Sequence, residues 1–325
     1  MKSVSQYTPK VSVIIPVFNS PSLIRKCLDS LLPQDYPDYE VIVVDDGSTD
    51  ETCEEVLKYN VRLIRNKHHG ISVARNQAIK NARGEIILGI DADLQVPGDL
   101  ITRMIAPLQD EKTGVTMAWW DISNNNNLVA VLIFRTYEYF VHNLDEPDFL
   151  WSYCFAVKKR IFQEVGGFNE DLFVGEDVDF AHRITGAGYK IKILKDARVW
   201  HYFRDSLFLH LKRHFQTART KFCYVLDSHK VFDQRGYPVE YLKLLLHLLM
   251  ILSLPTLLWK PEIFIVFFCL ALLSHLKITL WSMKKGFKYI LILPFEFVTK
   301  IAWVAGVIQG IFWRLKRYHP SPADL

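Results

Sequence analysis

Asp91-Ala92-Asp93 closes the apolar run Ile86-Ile87-Leu88-Gly89-Ile90. Residues i and i+2 of an extended chain point the same way, so the two carboxylates can face one ligand together. Clustered anions repel, and oxygen donors favour a hard divalent cation such as Mg²⁺ or Mn²⁺, often shared with a substrate diphosphate. The same string can also end a strand and cap the next turn without binding anything. A second acidic block is Gly175-Glu176-Asp177-Val178-Asp179, followed by Phe180, Ile184 and Ala187 at helical spacing. A helix N-terminus favours negative charge, but three acids in four residues exceed what a cap needs, and mark a candidate site.

The elements that must position these acids alternate. Val11–Pro16 reads as a strand, and Leu23, Ile24, Cys27, Leu28 and Leu31 as one face of a helix. Tyr39–Val44 is a second strand, ending in Asp45-Asp46-Gly47-Ser48, where Ser48 and Glu51 have capping-box spacing for a helix. Val61–Ile64 is a third strand, Gly70–Ala82 a helix, and Ile86–Ile90 a fourth strand, buried on both faces. Strand–helix alternation predicts right-handed βαβ units and an α/β, Rossmann-like, mostly parallel sheet. Ligands of such sheets bind at the carboxyl ends of the strands, which is where Asp91 and Asp93 fall. No G-x-G-x-x-G follows the first strand and no G-x-x-x-x-G-K-[ST] occurs, which weighs against a dinucleotide site and excludes a P-loop. A calcium loop over Asp46–Glu51 fails because an acid occupies the glycine position.

Further along, Asp99–Leu108 reads as a helix and Val115–Trp120 as a strand. Asn124-Asn125-Asn126-Asn127 reads as a solvent-exposed loop or hairpin tip. His68, His69, Trp119 and Trp120 read as loop and sheet-surface residues able to line a cleft.

The 325 residues, half of them hydrophobic, suffice for two domains. The net charge of +4 conceals a division: Ser206–Leu325 carries 16 Lys+Arg against 6 Asp+Glu, and residues 1–205 carry 23 against 29. The acidic front argues against nucleic acid as a partner, and the basic, apolar back argues for membrane lipids with anionic headgroups. Cys27, Cys53, Cys154, Cys223 and Cys269 form no C-x-x-C pair and read as reduced residues of a cytosol-facing protein. Met1–Lys10 is polar and lacks a signal core.

Three regions are expected: a domain over 1–204, amphipathic interfacial helices over 205–238, and a membrane region over 239–325. Leu207, Phe208, Leu211 and Phe215 interleave with Lys212, Arg213 and His214, as in a helix lying in the lipid interface. Segments of about 20 residues near 239–259 and 262–281 reach bilayer-spanning length. The third apolar segment, 287–313, has Lys284, Lys285 and Lys288 before it and Arg314, Lys316 and Arg317 after it. The positive-inside rule puts both flanks in the cytoplasm, so this segment is expected to be interfacial or re-entrant. The whole predicts a multi-pass protein of the cytoplasmic (inner) membrane with its first domain facing the cytoplasm.

Six blocks together carry a resemblance. They are Val13-Ile14-Ile15-Pro16-Val17-Phe18-Asn19, Val43-Val44-Asp45-Asp46-Gly47-Ser48-Thr49-Asp50, Ala74-Arg75-Asn76, Asp91-Ala92-Asp93, Val165-Gly166-Gly167-Phe168 and Gly175-Glu176-Asp177-Val178-Asp179. In this order and at these separations, residues 11–202 resemble a family 2 glycosyltransferase of the GT-A fold. The resemblance implies a nucleotide-diphosphate sugar donor, with Pro16, Asn19, Asp46 and Arg75 holding the nucleobase and ribose, and Asp91 and Ala92 beside them. It implies Asp93 as ligand to the Mn²⁺ or Mg²⁺ that bridges the diphosphate, with His201 as a further ligand in some relatives. Asp177, flanked by Glu176, matches the family's catalytic base, and single displacement would invert the anomeric carbon. The acceptor implied is a hydroxyl of a lipid-linked or cell-surface glycan. Polyprenyl phosphate, which needs no base, and a catalytically inactive sugar-binding protein are the alternatives. A processive synthase fits less well, because no Q-x-x-R-W string occurs.

Overall fold

Val11–Val17 (β1) is buried along almost its whole length, and it forms the middle of the sheet's parallel part. The computed structural model describes residues 9–172, 175–225 and 238–315. After β1 come Pro21–Leu31 (α1), Tyr39–Asp45 (β2), Thr52–Val56 (α2), Arg62–Arg65 (β3), Ile71–Asn81 (α3) and Ile86–Ile90 (β4). Leu94–Gln95 (β5), Leu100–Ile105 (α4), Thr113–Ile122 (β6), Leu128–Val141 (α5) and Cys154–Lys158 (β7) follow. Lys159–Val165 (α6), Glu176–Gly186 (α7) and Lys190–His201 (β8) complete this part.

The sheet order is β3-β2-β1-β4-β7-β6-β8-β5. The βαβ alternation makes β3, β2, β1 and β4 parallel. Strand β7 then runs antiparallel to both β4 and β6, and β5 antiparallel to β8. The sheet is therefore mixed beyond the four strands whose local pattern predicts parallel pairing. The capping box does not form: α2 starts after Glu51 with no side-chain cap. Ser48 instead accepts a hydrogen bond from Asn19 N–H.

Trp119 and Trp120 are core residues, not surface ones, since β6 is buried on both faces over its first eight positions. Only Asn125 and Asn126 of the asparagine run are exposed. Asn124 is buried because its amide exchanges two hydrogen bonds with the Phe203 backbone, and Asn127 caps α5 by accepting from Ala130 N–H.

The chain divides into two units, the first comprising residues up to Ser123 and Leu144–Tyr202. The second holds Asn124–Asn143, hence α5, and everything from Phe203. Its further helices are Leu207–Val225 (α8), Pro238–Leu252 (α9), Pro261–Leu273 (α10), Leu276–Met283 (α11) and Ile292–Leu315 (α12). The segment read as a first span breaks after α9 into a 3-10 turn over Leu254–Leu258, with Pro255 near its start. The second is bent by 40° between α10 and α11. Among the described residues, the one helical stretch long and apolar enough to cross a membrane unbroken is Phe287–Trp313, the third. This unit is apolar outside, with Leu245, Leu258, Trp259, Val266, Leu273 and Phe287 exposed. Inside it buries polar groups: Thr136 donates to Glu296 at 2.7 Å, and the His247 and His275 Nε2 atoms lie 3.5 Å apart.

Candidate active site

The two carboxylates sit where β4 leaves the sheet. Gly89 lets this strand approach β7 closely, since a Cβ there would fall 2.2 Å from the Phe155 ring. Asp91 N–H then donates to Tyr153 O at 2.7 Å, fixing the turn. Burial pushes the Asp91 carboxyl up to about 6, against the pull of Arg75 and with the charge of Asp93 adding to it. Asp93 meets His201 for a different reason. The antiparallel register pairs Leu94 with His201, and Tyr202 N–H donates to Asp93 O at 3.0 Å. The Asp93 Oδ2–His201 Nε2 distance is 3.2 Å. Behind the pair, the buried thiols of Cys27 and Cys154 are pushed up by desolvation and by these acids, which makes them inert core groups.

Arg75 connects the two acidic blocks. It lies on α3, only 2% exposed, and its Nη2 donates to Asp91 Oδ1 at 2.9 Å and to Ser152 O at 3.1 Å. Its Nη1 donates to Glu176 Oε1 at 3.2 Å, and the guanidinium lies over the Phe168 ring at 5.3 Å. The next residue, Asn76, ties α3 to the chain that follows α6, accepting from Phe168 N–H and donating to Phe168 O and to Glu170. Arg183 on α7 pairs with Asp179 and donates to the carbonyls of Val165, Gly166 and Gly167. The acids of α7 therefore divide their work. Glu176 and Asp179 are held by arginines, while Asp177, half-buried in the same first turn, accepts from Val178 N–H.

The other expected contacts gather at the ends of β1 and β2. Pro16 is part of β1, opposite Val44. Asn19 adopts φ 46, a left-handed conformation that asparagine tolerates, and its side chain accepts from Thr49 N–H at 2.8 Å. The buried Asp46 accepts from the backbone N–H groups of His69 and Gly70 at 3.0 and 2.9 Å. Ala92 follows Asp91 in the turn between β4 and β5. Phe18, to which the sequence assigns no role, stacks on His68, read as a loop residue able to line a cleft; their ring centroids are 4.2 Å apart and both remain exposed. The signal for Phe18 is an aromatic residue directly before Asn19. A small cleft runs beside Asp93, lined by Leu23, Lys26, Gln95, Ser123 and Tyr202.

Among the described residues no three His, Cys, Asp or Glu side chains converge as a metal cage. The Asp93–His201 pair beside that cleft is a carboxylate–imidazole donor set, which Mn²⁺ accepts, and Mg²⁺ and Mn²⁺ commonly leave other positions to water and substrate phosphates.

The mixed sheet, with its parallel part built from βαβ units, has the GT-A class of fold. The mannosyltransferase PcManGT of Pyrobaculum calidifontis, solved in complex with GDP-Man and Mn²⁺, shares that architecture. Its TM-score is 0.63 at 22% identity, over 94% of this chain and 88% of that one. Residues 12–166 match the family model described as Glycosyl transferase family 2. The glycosyltransferase AglE of Haloferax volcanii is 29% identical over 204 residues, 58% of this chain and 65% of that protein. The poly(ribitol-phosphate) beta-glucosyltransferase of Bacillus spizizenii is 38% identical over 117 residues, 33% of this chain and 18% of that protein. The chain thus matches less than two thirds of the length of these curated relatives.

Proposed function

We propose that the protein is an inverting, metal-dependent glycosyltransferase that moves a sugar from a nucleotide-diphosphate donor to a hydroxyl of a lipid-linked or cell-surface glycan. The observation that carries this reading is the Arg75 bridge, which joins Asp91 on the donor side to Glu176 beside the proposed base. In this reading the nucleobase of the donor stacks against Phe18 and His68, on a loop set by Asn19 and Asp46, with Pro16 beneath it. Asp91 and Ala92 lie along the ribose. Asp93 and His201 hold the divalent cation, Mn²⁺ or Mg²⁺, which when bound offsets the charge on the diphosphate leaving group.

Asp177 accepts the proton of the acceptor hydroxyl as its oxygen bonds to the anomeric carbon. The bond from that carbon to the diphosphate oxygen breaks, and one displacement inverts the centre. General-base assistance of this kind supplies roughly 10²–10⁴-fold. The burial of Glu176 against Arg75 supports this division of roles, because it engages Glu176 in the bridge and sets the half-buried Asp177 beside it in the same first turn. The apolar exterior of the second unit supports a seat at the cytoplasmic face of the membrane, within reach of lipid-linked acceptors.

The test is Asp177→Asn in the full chain, with donor binding followed by the thermal shift that nucleoside diphosphates and their sugars produce with Mn²⁺. Lost transfer with retained donor binding supports the reading. Undiminished transfer redirects it to a phosphate acceptor, and a parent chain that neither hydrolyses nor transfers the donor with Mn²⁺ present redirects it to a sugar-binding or scaffold role.

A further inference from the structure

Helices α8 and α12 run side by side in the same direction. His210 stacks on Phe295 at 4.9 Å, His214 lies 5.8 Å from Trp303, and Arg219 reaches both Gln309 at 3.2 Å and the Trp313 ring at 3.9 Å. Gly306 sets the separation, since a Cβ there would fall 2.2 Å from Phe215 O. The pair is therefore locked along its length, and whatever depth α12 takes in a bilayer, α8 takes too.

The two helices differ in what they can tolerate. The 24 residues of α12 extend about 36 Å, enough to cross a hydrocarbon core of about 30 Å. Helix α8 has alternating polar and apolar residues, and its outward face carries Phe208 and Leu209 next to exposed Lys212 and Arg213. Dragged across the membrane beside α12, those two cations would sit in hydrocarbon, where charges are rare and costly. Basic residues also flank both ends of the pair. Exposed Lys284, Lys285 and Lys288 precede α12 beside exposed Phe287, Ile290 and Leu291, and in sequence Arg314, Lys316 and Arg317 lie at its far end. A spanning orientation would deliver one of these basic ends to the far side, against the positive-inside rule.

We infer that α8 and α12 lie together in the plane of the cytoplasmic leaflet, as a seat for anionic phospholipid, although α12 has the length and composition of a span. The inference rests on the lipid-facing reading of the second unit. Mixed apolar and basic outward faces are what such an interface takes: rings and leucines among the upper acyl chains, ammonium and guanidinium groups among the phosphates.

Lys285 and Leu315 are both exposed, so Lys285→Cys and Leu315→Cys mark the two sides of the apolar stretch Phe287–Trp313 without disturbing the interior. Each is placed in a full chain carrying Cys269→Ser, whose own labelling sets the background. Sealed right-side-out vesicles are treated with a membrane-impermeant maleimide before and after rupture. The in-plane seat predicts that both positions label only after rupture, whereas labelling of either in the sealed vesicles overturns it. In a second arm the purified chain is mixed with phosphatidylcholine vesicles with and without phosphatidylglycerol, then floated. The anionic lipid should raise the floated fraction several-fold, and Lys212→Glu with Arg213→Glu should erase that gain. Equal capture by both vesicles overturns the anionic seat. Failure to float with either removes the lipid-facing reading beneath it. Neither arm requires turnover, so sugar transfer is judged separately, by donor binding and by Asp177→Asn.

Discussion

Arg75 and Glu176 are 101 positions apart in sequence and 3.2 Å apart in space, and the same guanidinium also holds Asp91 at 2.9 Å. One buried cation thus links the end of β4 to the first turn of α7. Arg75→Met should leave the buried Glu176 and the half-buried Asp91 without their counter-charge, at a cost of about 3–5 kcal/mol. A large fall in the unfolding midpoint is expected even without nucleotide. Arg75→Lys should recover only part of it, because an ammonium lacks the planar fork that spans both acids. If Arg75 served only to touch nucleotide, both variants would melt like the parent.

Asp177→Asn should lower turnover by about 10²–10⁴-fold, the range of general-base assistance, and leave donor affinity within about twofold. Glu176→Gln should behave differently. It loosens the Arg75 bridge, so it should lower the melting temperature along with the rate.

Transfer should stop on chelation and resume with Mn²⁺. Asp93→Asn and His201→Ala should each raise the Mn²⁺ concentration for half-maximal rate by at least about tenfold, as lost ligands and their partners do. The parent and both variants should melt alike without metal, since the Asp93–His201 pair is partly exposed.

Phe18→Ala should weaken donor binding, because base–aromatic stacking contributes about 1–3 kcal/mol, or about 5–150-fold in affinity. The loss should appear equally for the free nucleoside diphosphate and for its sugar conjugate, measured by calorimetry. A loss confined to the conjugate would place Phe18 at the sugar instead.

Local pattern made β1, β2, α3 and β4 legible before the structure, since their burial is written in consecutive residues. The same holds for the acids at the end of β4 and the start of α7. What could not be read were relationships set by register and depth. Asp93 meets His201 only through the pairing of a two-residue strand with β8. Arg75 looks like a ligand contact in sequence, because nothing in a string shows that a side chain is buried and engaged on three sides. Trp119 and Trp120, the seventh and eighth residues of β6, read as sheet-surface residues, yet Trp120 packs against Trp151 and Tyr153 and both are buried. Ser48 and Glu51 have the spacing of a capping box, but Asn19 claims the Ser48 hydroxyl first. In the second unit, hydropathy finds the apolar runs and misses their breaks. Whether α12 stands alone is a question about its neighbour.

The assignment of residues 124–143 to the second unit has a consequence for synthesis. On a ribosome, α5 emerges before any of the residues from Phe203 onward with which its unit is built. Its Val131, Leu132 and Ile133, buried in the folded chain, must wait until the residues from Phe203 onward emerge before their unit is complete. A fragment ended near residue 204 would keep that apolar helix permanently without its unit, and should be prone to aggregate. A soluble version of the catalytic domain would instead excise 124–143 and join Ser123 to Leu144 through a short polar linker.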